Sequence, residues 1–279
     1  MVVCLCKRAE ADYNKDMNVT FLFFIFGLAI GSFLNVVVYR LKEHETILGR
    51  SFCRQCQHQI RWYDNIPLIS FLFLRGKCRD CAAPISWHYP CLELVTALCF
   101  VLIGHYFFDI LNSQTWAETL WLVLLVSLLL AMAVYDMIHM EIPLSLLIAG
   151  LVVTGVFLLF DHGGQRLSLE SRLVQSVFGA LVIGGFFFAL VYISKETWMG
   201  WGDVWLGTLA GLIVGLPSAL FLLTLSFGTG ALISIGLMIF GDKGMKSQVP
   251  FAPYLVLGTL LALFLPQIFP DAMNLFVLL

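Results

Sequence analysis

Charge is the scarcest feature of this chain. Its 279 residues include 16 Lys and Arg and 18 Asp and Glu, or 12% of positions, where a soluble domain carries about a quarter. So few ionised side chains cannot cover a globule of this size, which excludes a soluble enzyme. Hydrophobic residues make up 60% of the chain and mean hydropathy is +0.91, which excludes a disordered chain. There is no basic excess either. A net charge of −2 is wrong for a nucleic-acid binder, whose affinity comes from neutralising phosphates. No cleavable signal is evident, because Gly31–Ser32 runs on into further apolar residues instead of ending the first span. What remains is a polytopic membrane protein.

The spans read as intervals free of Asp, Glu, Lys and Arg: 17–39, 94–108, 119–135, 142–160, 173–194, 204–241 and 247–270. A membrane helix needs about 20 apolar residues, and the 38 residues of 204–241 are nearly two crossings, with Gly215-Leu-Pro217 as the turn. The expected fold is therefore all-α, with about eight transmembrane helices. Lys and Arg resist translocation, and eight of the sixteen fall between Arg40 and Arg79. If that segment is cytoplasmic, the alternation puts Lys195, Lys243 and Lys246 on the same side, eleven cations inside against Lys7, Arg8, Lys15, Arg166 and Arg172 outside. The N-terminal trio conflicts with that orientation, and a start of synthesis at Met17 would remove the conflict. By character the chain divides into 1–39 (N-terminal extension and first span), 40–91 (polar loop) and 92–279 (helical membrane domain).

Residues 40–91 are the one long hydrophilic insert. They carry Cys53-Arg-Gln-Cys56 and Cys78-Arg-Asp-Cys81, with 21 residues between the pairs. Two such knuckles offer four thiolates to one tetrahedral zinc ion, a staple suited to a loop with little core of its own in a reducing compartment. Two redox-active dithiols, or unrelated buried thiols, are the competing readings. Cys91 and Cys99 are expected to be apolar filling in the second helix.

Two acids sit at the edges of apolar runs. Asp136 follows 119–135 directly, and Asp203 opens 204–241 within Met199-Gly-Trp-Gly-Asp-Val-Trp-Leu-Gly207. An ionisable group at a membrane boundary points to function, although Asp203 can equally cap its helix. By the alternation both lie at cytoplasmic helix ends, at similar depth. Gly200 and Gly202 would allow close backbone approach and positive φ. Two facing carboxylates share one proton; the ionised member activates water and the protonated one polarises a carbonyl.

From about residue 27 onward the chain resembles the type IV prepilin peptidases. The resemblance rests on Gly31-Ser-Phe-Leu-Asn-Val-Val-Val-Tyr-Arg-Leu41, Arg50-Ser-Phe-Cys53, Trp62-Tyr-Asp-Asn-Ile-Pro-Leu68, Leu74-Arg-Gly-Lys-Cys78, Ile85-Ser86, Tyr89-Pro90 and Leu92-Glu-Leu-Val-Thr-Ala-Leu98. It extends through Asp136 with Ile142-Pro143, Gly202-Asp203 and Pro250-Phe-Ala-Pro-Tyr254. It implies a multi-pass aspartic endopeptidase of the bacterial inner membrane with its active site facing the cytoplasm. Such an enzyme cuts the basic leader from type IV prepilins and type II secretion pseudopilins after a glycine. Members with the cysteine-rich loop commonly also methylate the new N-terminal residue from S-adenosylmethionine. The family's catalytic aspartates fall on Asp136 and Asp203, and its loop cysteines on Cys53, Cys56, Cys78 and Cys81. A prepilin substrate and membrane lipid are the implied partners.

Three positions depart from the family pattern. Trp205 stands where Lys is usual, Leu144 where Asp often follows the proline, and His88 where Arg is common. Loss of a cation near Asp203 predicts a shifted acidic limb in the pH profile. Glu43, Glu45, Asp64 and Asp80 are candidates to meet a basic leader, or are simply solvated. His139 and Glu141 lie near Asp136, and Glu93 is a candidate for substrate or methyl-donor binding. No G-x-G-x-x-G fingerprint locates the donor. Other classes stay open: a presenilin-type protease, which lacks the double C-x-x-C loop; an eight-helix transporter relaying protons through Asp136 and Asp203, which favours midplane acids and inverted repeats; and a thiol oxidoreductase.

Overall fold

In a membrane the backbone must satisfy its own hydrogen bonds, so long apolar runs become helices. The computed structural model describes residues 2–43, 45, 46, 48–110, 112–161, 171–216, 218–240 and 249–269. Among these there is no strand, only two isolated β-bridges. The helices are α1 (Val2–Lys42), α2 (Ile69–Phe73), α3 (His88–Tyr106), α4 (Ser113–His139), α5 (Leu144–Asp161), α6 (Arg172–Ser194), α7 (Trp201–Val214), α8 (Ala219–Phe240) and α9 (Ala252–Ile268).

All but α2 contain an apolar stretch, but not all eight are of spanning length, so the expected count of eight transmembrane helices is not reached by length. Five contain stretches long and apolar enough to cross a membrane: Met17–Lys42, His88–Tyr106, Thr115–His139, Arg172–Ser194 and Ala219–Gly236. Leu144–Phe160, Trp201–Val214 and Ala252–Ile268 are shorter. At about 1.5 Å per residue the 14 residues of α7 rise roughly 21 Å, less than the ~30 Å of hydrocarbon. The run 204–241 does break at Gly215, whose φ of +73° ends α7. Pro217, Arg166, Lys243 and Lys246, on which part of the turn and orientation argument rested, lie outside the described residues, as do the side chains of residues 1–16.

The chain forms two compact units, Met1–Ser127 and Leu128–Leu279, whose boundary falls inside α4. In the first, α1 packs on α3 through glycines: a Cβ at Gly27 would meet the Ala97 Cα at 2.6 Å, and one at Gly31 the Glu93 Cα at 2.7 Å. Cys99 is buried on α3 as expected, but Cys91 is exposed. Eight residues on a helix advance the face by about 80°, enough to turn one thiol outward; Cys91 is not core filling.

In the second unit α6 and α7 cross at backbone contact. A Cβ at Gly179 would lie 2.6 Å from the Gly215 carbonyl carbon, and one at Gly211 2.7 Å from the Ala180 Cα. Neither obstacle is a side chain that can swing away. Gly211→Val must therefore push the helices apart and is expected to cost about 2 kcal/mol or more. A Cβ added at Gly155 on α5 would meet no heavy atom within 4 Å, so Gly155→Ala is expected to be neutral or stabilising by up to ~1 kcal/mol. Thermal unfolding in detergent checks both; equal midpoints for the two variants would contradict the close crossing.

Candidate active site

Asp136 lies in the last turn of α4, 6% exposed. Its Oδ2 accepts the Ala252 N–H at 3.1 Å, where α9 begins. The first N–H groups of a helix have no partner inside the helix, so the start of α9 provides a donor. Pro253, within the first turn, favours that start.

Asp203 is the third residue of α7, and its Oδ2 accepts the Gly200 N–H at 3.3 Å. The capping reading of this acid is therefore real, and it coexists with a second property. Asp203 lies within the electrostatic range of Asp136. The glycine expectation needs correction. Gly200 has φ −89° and Gly202 lies within the helix, so neither uses positive φ. Gly202 supplies close approach instead: a Cβ there would meet Ile142 side-chain carbons at 3.2 Å, which brings the start of α7 against the segment that follows Asp136.

His139 packs its ring on Tyr135, 4.6 Å between centroids, and Glu141 is exposed. Trp205 is half exposed. Two residues along a helix is about 200° of rotation, so a cation at 205 projects from a different face than Asp203.

The four cysteines converge. The sulfurs of Cys53, Cys56, Cys78 and Cys81 all lie within 4.8 Å of one another, with Cys53 and Cys81 3.8 Å apart. A tetrahedron of sulfurs at ~2.3 Å from zinc has edges of about 3.8 Å, so the set fits one ion. Two independent dithiols have no need to meet at a point.

The knuckles repeat one local design, which the sequence pattern alone did not disclose. Cys53 N–H bonds to His58 O and Cys78 N–H to Ala83 O. Gln57 N–H returns to Cys53 O, and Ala82 N–H to Cys78 O. Gln57 and Ala82 both take φ +57°, and the bridges Phe52↔Gln59 and Lys77↔Pro84 close each turn. The available signal was the constant 25-residue offset between the two C-x-x-C pairs.

The Cys56 N–H bonded to the Cys53 sulfur lowers that thiol from 9.0 to about 7. Cys81 accepts from the Ala83 N–H, yet desolvation and its three sulfur neighbours push it up to about 12. Crowded sulfurs resist becoming four thiolates unless a cation joins them.

Arg79 grips Asp64 through two hydrogen bonds, 2.8 and 2.6 Å, and holds its carboxyl below the usual range. Asp80 lies 4.0 Å from both His58 and Arg61. Two of the four acids offered for a basic leader are thus engaged within the loop itself. His88, at the family's arginine position, bonds Tyr39 Oη at 2.8 Å and Ser86 Oγ at 2.7 Å.

Residues 25–107 match the family model for the bacterial peptidase A24 N-terminal domain, and residues 123–235 that of the type IV leader peptidase family. A prepilin leader peptidase/N-methyltransferase of Aeromonas hydrophila is 33% identical over 87% of this chain and 89% of its own length. One of Pseudomonas aeruginosa is 32% identical over 90% and 93%. The chain belongs to the type IV leader peptidase family. A third member, the type 4 prepilin-like proteins leader peptide-processing enzyme of Escherichia coli, is 34% identical over 87% of this chain and 93% of its own length. No solved structure matches the chain.

Proposed function

We propose that this chain is a membrane aspartic peptidase that removes the leader of type IV prepilins and type II secretion pseudopilins after a glycine. One observation carries the reading in a chain of this family: Asp136 and Asp203 each stand at a helix end, each is held by one backbone N–H, and Asp203 lies within the electrostatic range of Asp136. Two carboxylates that close on one substrate hold one proton between them. The ionised member takes a proton from water as it attacks the scissile carbonyl, and the protonated member donates to the carbonyl oxygen. The Ala252 and Gly200 N–H groups fix the two oxygens not engaged in transfer.

The eight apolar helices form a multi-pass protein of the bacterial inner membrane with both acids at its cytoplasmic face. A prepilin held in the bilayer by its own apolar helix presents its cut site at that level. Cys53, Cys56, Cys78 and Cys81 hold a structural zinc ion. The chain also methylates the new N-terminal amine from S-adenosylmethionine. The amine lone pair forms the C–N bond, the C–S bond breaks with its electrons going to sulfur, and the resulting ammonium releases a proton.

The test is to reconstitute the purified chain in liposomes with a prepilin and S-adenosylmethionine and weigh the product by mass spectrometry. A product shortened at the glycine and heavier by one methyl group is the expected result. Uncut prepilin, with a known family enzyme cutting it in parallel, overturns the peptidase reading.

A further inference from the structure

The first compact unit contains a cavity of about 640 Å³, bounded by α1, α3 and the cysteine-rich loop. That volume is within the range of small-molecule sites, roughly 300–1,000 Å³. It involves neither of the acids assigned to cleavage. The geometry points to this cavity as the binding site for the adenosyl sulfonium methyl donor, an inference that rests on the methyl-transfer half of the proposed function.

Three features of its lining match a ligand that joins a cation to a planar base. The first is an acid that stays inside the fold. Glu93 is 8% exposed; its Oε2 accepts the Leu68 N–H at 2.8 Å, and Ser32 also bonds the carboxylate. No Lys or Arg is paired with it in any ion pair among the described residues. A carboxylate has about four acceptor positions, and two donors leave capacity for a ligand. Leu68 takes φ +57°, an unfavourable backbone for a leucine, at the residue whose N–H meets Glu93. Backbone held in this region points to a site worth testing.

The second feature is an unsatisfied acceptor. Asn35 is 4% exposed and lines the same cavity. Its Nδ2 donates to Gly31 O at 3.3 Å and Tyr89 O at 3.2 Å, while its buried Oδ1 has no partner among the described residues. The two carbonyls engaged by Nδ2 fix which end of the amide is oxygen. A buried acceptor without a donor is costly, and the methyl donor carries an amino-acid ammonium and an adenine amine able to supply one.

The third feature is a stacking column. Tyr39 and Tyr89 lie parallel, 5.4 Å between centroids at 13°, and the Arg54 guanidinium sits 3.4 Å above the Tyr39 ring. Guanidinium planes and aromatic rings are the surfaces on which nucleobases stack, and aromatic faces also favour cations. The sulfonium belongs near Glu93 and the adenine at the Arg54 end. This is also why no glycine-rich fingerprint was to be found: helix faces and a metal-stapled loop supply the contacts, with no strand-to-helix turn.

Full-length protein in detergent, titrated with S-adenosylmethionine and with S-adenosylhomocysteine by calorimetry, tests this. The second ligand lacks only the methyl and the positive charge. Wild type is expected to favour the sulfonium. Glu93→Gln, which keeps the shape and can still accept from Leu68, is expected to weaken the sulfonium ligand at least tenfold and the neutral one no more than about threefold. A merely structural role would weaken both alike. Tyr39→Leu is expected to weaken both ligands, and serves if Glu93→Gln does not fold. Independently of any variant, photocrosslinked S-adenosylmethionine is expected on peptides from residues 32–93. Unchanged affinities in folded variants, or crosslinks confined to residues 128–279, overturn the cavity assignment alone. Absence of any binding to wild type that cleaves prepilin overturns the methyl-transfer reading, and this assignment with it.

Discussion

Asp136→Asn and Asp203→Asn are each expected to lower prepilin cleavage by about a thousandfold or more while leaving the protein folded. Asparagine keeps the size of the side chain and an oxygen able to accept the N–H of Ala252 or Gly200, so the cap and the link between α4 and α9 persist. What it removes is the ability to exchange a proton. Residues that act as one unit lose nearly everything with the first member, so the double variant should be little slower than either single one. Initial rates on a reconstituted prepilin, beside thermal midpoints, make the comparison. A single variant that cleaves at more than a tenth of the wild-type rate shows that its residue is only a structural support, and the shared-proton mechanism fails.

Removing the metal is expected to have the second largest effect. Between α1 and α3 the described residues include one short α-helix, Ile69–Phe73, and a 3₁₀ turn at Trp62–Asn65. With so little secondary structure, the four sulfurs are the main tie of this segment. Structural zinc sites contribute roughly 10–16 kcal/mol of apparent binding energy in small peptides at neutral pH. Protein as purified is expected to hold one zinc per chain. Stripping it with a chelator, or making Cys56→Ser with Cys78→Ser, should open residues 40–91 to protease.

Acid should do the same by returning protons to sulfur. Each sulfur that holds the metal is also a proton acceptor, so protons compete with the ion for the same four sites. Metal release, followed with a chromophoric chelator, should therefore rise as pH falls. A protease pattern indifferent to both chelator and the double substitution would show that the loop stands without metal.

Much of this architecture was legible because a bilayer leaves the chain few choices. Charge-free runs had to become helices, and eight apolar helices are present where the runs lay. The break was legible because Gly215-Leu-Pro217 punctuates the run, and Gly215 does take φ +73°. The cysteines were legible because pairs at C-x-x-C spacing suit one ion, and Asp136 and Asp203 because a charge next to an apolar run is conspicuous.

Partners distant in the chain were not legible. Nothing local joins Asp136 to the Ala252 N–H, Arg79 to Asp64, or Glu93 to the Leu68 N–H. Each pairing depends on which elements pack together, and many residues would serve equally well before the fold chooses among them. The glycines beside Asp203 were assigned to backbone freedom, but only packing showed that Gly202 makes room for Ile142. Cys91 and Cys99 look alike in sequence, and only the rotation of α3 against α1 turns one outward and buries the other. Composition and the periodic demands of a membrane thus determined what the elements are and which side chains are unusual. The tertiary structure decided which backbone group meets each of them, because a hydrogen bond is specified by position in space and not by distance along the chain.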